Sequence, residues 1–352
     1  MEGRRGEDLQ FPLNAFEPHP LLRSPDLMTV AGTLKWRRYP DLPPGEPRRF
    51  RVDHETEVLA ICHWQPEPRI HPTIVILHGL EGSVNSSYMR GIAEKAVRSG
   101  FNAVRLNQRG CGESEHLTPT LYHSGLSQDL RSVVLELSER DALSEIIVCG
   151  YSMGGNLALK MAGEFGDRTP AALRGVVAVA PAIILNDAAN AIDSPRNFLY
   201  RRHFVRELEA RYRRKAQLFA QLFPERYASD RRPARTLREF DDAVTAPTFG
   251  FADADDYYRR CSAINVVSRI NVPTLIIAAQ DDTFIPVTTF RHPDVTSNPN
   301  IALITPAHGG HCAFISRFSG PYRFWAEAVV VDFCRRQVAG RPCPRGDVPI
   351  HS

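Results

Sequence analysis

Apolar residues fall along most of this chain in short unbroken runs, separated by stretches of mixed polarity. The runs at 74–77, 103–107, 146–149, 176–180, 274–279 and 301–304 are mostly Val, Ile, Leu and Ala, and only 103–107 carries a charged residue, Arg105. Strands of that kind are covered on both faces. Each is followed by a helical or loop segment, and repeated strand–helix alternation predicts an α/β fold with a mostly parallel sheet and helices on both faces. Two runs near the start, 50–52 and 58–62, read as paired edge strands divided by the turn-prone Asp53-His54-Glu55. A helix near 321–336 closes the pattern.

The alternation stops between residue 181 and about 265. That stretch reads as helical, with Tyr200, Phe204, Leu208 and Tyr212 at i+4 spacing on one face. We expect a helical cap over 182–265, inserted between core segments 46–181 and 266–340. The plainer alternative is a helical excursion packed on the core. Residues 1–45, rich in proline, read as an extended arm with a short helix near 26–35, and 341–352 as a loose tail.

Composition narrows the classes. A chain of 352 residues, 43% hydrophobic, suits one sizeable core with insertions. A net charge of +3 argues against a dedicated nucleic-acid binder. The cysteines Cys62, Cys111, Cys149, Cys261, Cys312, Cys334 and Cys343 show no CxxC spacing, which predicts free thiols in a reducing compartment and no zinc site. No apolar h-region follows Met1 and no run nears the ~20 residues of a membrane span, so the expected location is cytoplasmic, with peripheral membrane contact left open. Nothing calls for a cofactor, and oligomeric state stays open. The basic run Arg201, Arg202, Arg206, Arg211, Arg213, Arg214, Lys215 is read as a solvated face, because Glu207–Arg211 and Glu209–Arg213 fall at i,i+4; contact with anionic lipid is the alternative.

The chemistry concentrates at Gly150-Tyr151-Ser152-Met153-Gly154, between the 146–149 strand and a helical pattern. Strand, Gly-x-Ser-x-Gly, helix is the order of a nucleophile elbow. A serine attacks only if its oxygen is exposed on a sharp turn beside a base. Downstream, Asp281 and Asp282 lie after a strand, and His308 and His311 lie on a glycine-rich loop after another. An acid and a histidine in that order suit a Ser, Asp, His constellation. Upstream, His78-Gly79-Leu80-Glu81-Gly82 follows the 74–77 strand. Its Leu80 amide and the Met153 amide are the candidate donors to an oxyanion. His78 is expected to be structural, as is Cys111. Arg109-Gly110-Cys111-Gly112 is a turn without the P-loop lysine pattern.

With these residues placed, the chain resembles the YheT-like branch of the α/β-hydrolases, the AB hydrolase 4 family. The stretches that carry the resemblance are His78–Gly82, Asn107-Gln108-Arg109-Gly110-Cys111-Gly112, Leu121-Tyr122-His123-Ser124-Gly125, Gly150–Gly155, Glu239-Phe240-Asp241-Asp242, the segment 250–258 and His308-Gly309-Gly310-His311. The resemblance implies Ser152, Asp282 and His311 as a triad. Asp282 stands four residues before Pro286, as in the acid loop of such enzymes, and Gly-Gly-His matches their histidine loop. Thr283 stands where family members often have proline. The implied activity is cleavage of carboxylic esters, including lipid esters, without a cofactor. Acyl transfer by the same residues, or a non-catalytic binding protein on the same fold, are the alternatives.

Overall fold

A computed structural model describes residues 15–33, 37–223 and 231–338. Residues 1–14 and 34–36 of the expected arm, and all of the expected tail, lie outside them.

Eight strands form one sheet in the order β1-β2-β4-β3-β5-β6-β7-β8. They are β1 (Glu46–Arg51), β2 (Glu57–His63), β3 (Thr73–Leu77), β4 (Asn102–Leu106), β5 (Ile146–Tyr151), β6 (Leu173–Val179), β7 (Thr274–Ile277) and β8 (Ile301–Ile304). From β4 to β8 every pairing is parallel, while β1 and β2 are antiparallel to their neighbours. One expectation is corrected here. Of the two expected edge strands only β1 lies at an edge; β2 is bonded on both sides, pairing Ala60 with Leu106 of β4.

The first helices are α1 (Pro25–Thr33), α2 (Ser87–Arg98), α3 (Ser127–Leu135) and α4 (Met153–Phe165). Between β6 and β7 come α5 (Leu185–Asp193), α6 (Phe198–Phe219), α7 (Leu237–Phe240), α8 (Ala246–Phe249) and α9 (Ala254–Cys261). The short α10 (Pro293–Thr296) and the long α11 (Trp325–Val338) complete the described chain. Alternation of side chains along a strand sorts β3 between two layers. Ile74 and Ile76 pack with Met89 and Ile92 of α2 and Val329 and Val330 of α11. Val75 and Leu77 join the layer of Val133 from α3 and Leu157 from α4. Full burial of each such side chain is worth about 1.5–3 kcal/mol, which is why apolar residues dominate these runs; Arg105 of β4 is the charged exception, bonded to His63 (3.2 Å) and the Val84 carbonyl.

The short helix expected in the arm is α1. Helix α1 packs Met28 against Ala313 and Ile315, beside the loop that carries the two candidate histidines. The basic run also differs from expectation. Arg202, Arg206 and Arg213 are exposed, but Arg211 and Lys215 are buried. Arg211 pairs with Glu81 and not Glu207, and Glu209 pairs with Arg231 and not Arg213. Lys215 donates to the Glu115 (2.6 Å) and Thr118 carbonyls, and burial pushes its amine down to about 7. The reason is tertiary: this face of α6 lies on the loop after β4, so its charges turn to partners there.

Among the described residues no helix is long and apolar enough to cross a membrane, and no cluster of His, Cys, Asp or Glu could hold a metal ion. Cys62, Cys111, Cys149, Cys261 and Cys334 are buried free thiols and Cys312 is half-buried; Cys343 lies outside the described residues.

Candidate active site

Ser152 occupies the sharp turn between β5 and α4, with φ 52° and ψ −119°. For a residue with a Cβ this conformation costs on the order of 1–3 kcal/mol, and it persists only where the surroundings impose it. Two glycines make the turn possible. A Cβ on Gly150 would fall 2.1 Å from the Gly154 carbonyl oxygen, and one on Gly154 would fall 2.5 Å from the His78 carbonyl oxygen. The Ser152 amide donates to the Val179 carbonyl of β6 (2.8 Å), which pins the turn to the sheet.

The loops after β7 and β8 converge on this serine. His311 Nε2 lies 2.9 Å from Ser152 Oγ, and His311 Nδ1 lies 2.8 Å from Asp282 Oδ2. The second Asp282 oxygen accepts from the Phe284 (2.8 Å) and Ile285 (3.1 Å) amides. The Asp282 side chain is fully buried and that of His311 is 12% exposed. Asp281 and His308 form a separate, outer pair at 3.2 Å, and Asp281 also accepts from the Gly310 amide (3.0 Å). Of the two aspartates and two histidines, the structure brings Asp282 and His311 to Ser152.

Burial alone would depress the His311 imidazole. The charge of Asp282 beside Nδ1, aided by their hydrogen bond, outweighs it and holds the ring well above its ordinary value. Because the carboxylate accepts, Nδ1 carries the proton and Nε2 is left to accept from the serine hydroxyl.

His78 has no such role. It is fully buried; its Nε2 accepts from the Gln108 amide (3.1 Å) and its Nδ1 donates to the Gly79 carbonyl (2.8 Å). Burial pushes it down to about 4, so it stays neutral at neutral pH. Its bonds tie the start of the loop carrying Leu80 to Gln108. That loop reaches the serine, since a Cβ on Gly79 would sit 3.6 Å from Ser152 Oγ. Among the described residues neither the Leu80 nor the Met153 amide donates to a protein acceptor. Arg109 is spent on structure, bidentate to Asp129 (2.6 Å for both bonds) and paired with Asp53 (2.9 Å). The Cys111 thiol is buried and pushed up to about 12, which leaves it inert.

A cavity of about 540 Å³ opens beside Ser152 and His311. Its walls include Leu185, Ile192, Leu208, Leu237, Phe240 and Tyr258 from the helices between β6 and β7. The apolar residues of that insertion divide. Leu199, Phe204, Tyr257 and Tyr258 line the cavity, but Leu218, Phe219, Leu222 and Phe223 do not. Leu218, in the last turn of α6, and Leu222, just beyond that helix, are exposed. Val30 and Leu199 line the cavity and are also 46% and 76% exposed, which puts its mouth between α1 and the start of α6.

Sequence reasoning missed two supports. Asn197 Nδ2 donates to the Thr283 carbonyl (2.8 Å), tying the insertion to the acid loop. Thr29 Oγ1 accepts from the His311 amide (2.8 Å), so α1 steadies the histidine loop. Neither carried a motif; a proline-rich arm gives no periodic signal for what it touches. Replacing Thr29 by valine is expected to leave the half-buried His311 N–H without this partner and to destabilise the protein by about 1 kcal/mol, read by urea unfolding.

Comparison with known proteins follows the same lines. The model of the α/β hydrolase fold family matches residues 72–318. The Escherichia coli (strain K12) protein named "Putative esterase YheT" is 32% identical over 314 residues, covering 89% of this chain and 88% of its own. Mouse phospholipase ABHD3 is 29% identical over 69% of this chain, which spans only 58% of that protein's length. The solved Pyrococcus furiosus esterase Pf2001 superposes with a TM-score of 0.54 over 83% of this chain and 92% of its own. At 17% identity that likeness shows the fold alone.

Proposed function

The chain belongs to the α/β-hydrolase fold family, and from that premise we propose that it is a carboxylic ester hydrolase working through an acyl-enzyme on Ser152. The observation that carries this reading is the hydrogen-bonded line Asp282–His311–Ser152 at 2.8 and 2.9 Å, ending on a strained elbow beside a cavity. The names esterase and phospholipase borne by its relatives support the ester as the bond cleaved.

Ser152 Oγ attacks the ester carbonyl as its proton passes to His311 Nε2. The oxyanion is held by the Leu80 and Met153 amides. His311 then gives the proton to the leaving alcohol. Water, deprotonated by the same nitrogen, releases the acid and frees the serine. Asp282 stays ionised and stabilises the imidazolium.

The insertion over 182–265 acts as a cap whose apolar side chains receive an aliphatic acyl group; the substrates are short- to medium-chain or lipid esters. Each buried methylene is worth up to about 0.8 kcal/mol, or roughly fourfold in kcat/KM. In a series of p-nitrophenyl esters from acetate to palmitate, kcat/KM is expected to climb with chain length until the cavity is full. Equal activity across the series would show that the cap does not read the acyl chain. No turnover of any member, together with no labelling by a fluorophosphonate, would remove the hydrolase reading.

A further inference from the structure

Glu81 follows Leu80 in the chain, and its buried carboxylate is gripped from helix α6. The Gly82 amide donates to the Gly79 carbonyl (3.1 Å), closing a turn with Leu80 and Glu81 at its centre. Glu81 has φ 53°, a left-handed conformation that a residue with a Cβ adopts only under constraint. The constraint is visible. The Glu81 amide donates to Tyr122 Oη (2.9 Å), and that hydroxyl donates back to Glu81 Oε1 (2.7 Å). Arg211 donates from Nε to Oε1 (3.1 Å) and from Nη2 to Oε2 (2.9 Å). Its Nη1 donates to the Gly110 carbonyl, and its guanidinium lies 5.4 Å from the centre of the Tyr122 ring. The side chains of Arg211 and Glu81 are 6% and 5% exposed. Arg211 stands on α6, whose Phe204 and Leu208 wall the cavity.

We propose that Arg211 is a positioning residue: acting through Glu81, it fixes the turn that aims the Leu80 amide at the oxyanion, and so makes that donor depend on α6 being seated over the site. The proposal rests on the ester-hydrolase reading. A bidentate fork holds a carboxylate in orientation as well as in place, which a single ammonium does not. An amide donor stabilises an oxyanion only when it stands about 3 Å from where that oxygen forms. Released from Arg211, Glu81 relaxes toward negative φ, the turn rearranges, and the Leu80 amide loses its aim. Arg211 and Glu81 reach the cavity only at its polar end beside this turn, and the apolar walls of Leu185, Ile192, Leu237 and Phe240 are untouched, so the loss falls mainly on kcat and little on KM.

The test compares wild type with Arg211→Lys, Arg211→Met and the double variant Arg211→Met/Glu81→Gln. A lone buried charge destabilises a fold; the double variant has none, and it carries the test if Arg211→Met does not fold. The readouts are kcat and KM on a medium-chain p-nitrophenyl ester, and the inhibition constant of an alkyl trifluoromethyl ketone, which forms a tetrahedral oxyanion on a serine. In Arg211→Met and the double variant, kcat is expected to fall about 100-fold, the scale of one lost oxyanion donor. KM stays within twofold, and the ketone's inhibition constant rises in step with the fall in kcat. Arg211→Lys, which keeps the charge but not the fork, lies between. A folded double variant with wild-type kcat overturns the proposal, as does a fall in kcat with ketone binding unchanged. A wild-type chain with no Ser152-dependent turnover overturns the hydrolase reading and this proposal with it. An active wild type beside fully active variants overturns this proposal alone.

Discussion

Ser152→Ala is expected to lower ester turnover by at least about 10⁴-fold and to end labelling by fluorophosphonates. The variant should fold as the wild type does. The Ser152 side chain is hydrogen-bonded to His311, and alanine keeps the Cβ that the turn already accommodates. The backbone bond that pins the elbow, from the Ser152 amide to Val179, needs no side chain. Unchanged circular dichroism with lost turnover is therefore the expected pair of results. Labelling that persists in the alanine variant would mean that another hydroxyl is the nucleophile.

Asp282→Asn is expected to cost on the order of 10⁴ in kcat, because an amide in place of the carboxylate favours the wrong tautomer of the imidazole. Asp281→Asn beside it is the control. Asp281 bonds to His308 and the Gly310 amide, not to His311, so its loss should cost less than about tenfold in rate. A crippled Asp281→Asn with an active Asp282→Asn would reverse the assignment. The pH profile gives an independent readout. His311 must be neutral to accept the serine proton, and Asp282 holds it well above 6.5. In the wild type kcat/KM should therefore rise with pH through a midpoint above 6.5, since this ratio reports groups of the free enzyme. Removing the Asp282 charge leaves burial as the dominant influence, so the midpoint should move to lower pH. A midpoint that does not move would mean that another group sets the limb.

How much of this was legible depended on whether a feature is local. The strands of the parallel core were readable because a strand covered on both faces is built mainly of apolar residues; Thr73–Leu77 and Asn102–Leu106 lie within one residue of the runs read from the pattern. The elbow was readable because the glycines at 150 and 154 are demanded by contacts within a few residues of Ser152 and with the adjoining strand. The position of β2 was not, because pairing on both sides by strands from different parts of the chain leaves little mark on its own residues. Nor was the fate of the basic run. Glu207 and Arg211 are neighbours on an isolated helix, but a buried guanidinium takes the partner it can hold in two bonds, and Glu81 is 130 residues away.

The same division runs through the site. The sequence by itself determined the chemistry: which residue types occur, in what order, and that a strand, a turn and a helix would present Ser152. Those are properties of neighbouring residues and of hydrophobic period. Which aspartate meets which histidine, what holds the Leu80 turn, and which apolar residues of the insertion face the cavity were decided only by the tertiary structure. Asp281 and Asp282 differ by one position on one loop, and Leu208 and Leu218 lie on one helix. What separates them is which surface each meets when elements far apart in the chain pack together, and no local pattern encodes that meeting.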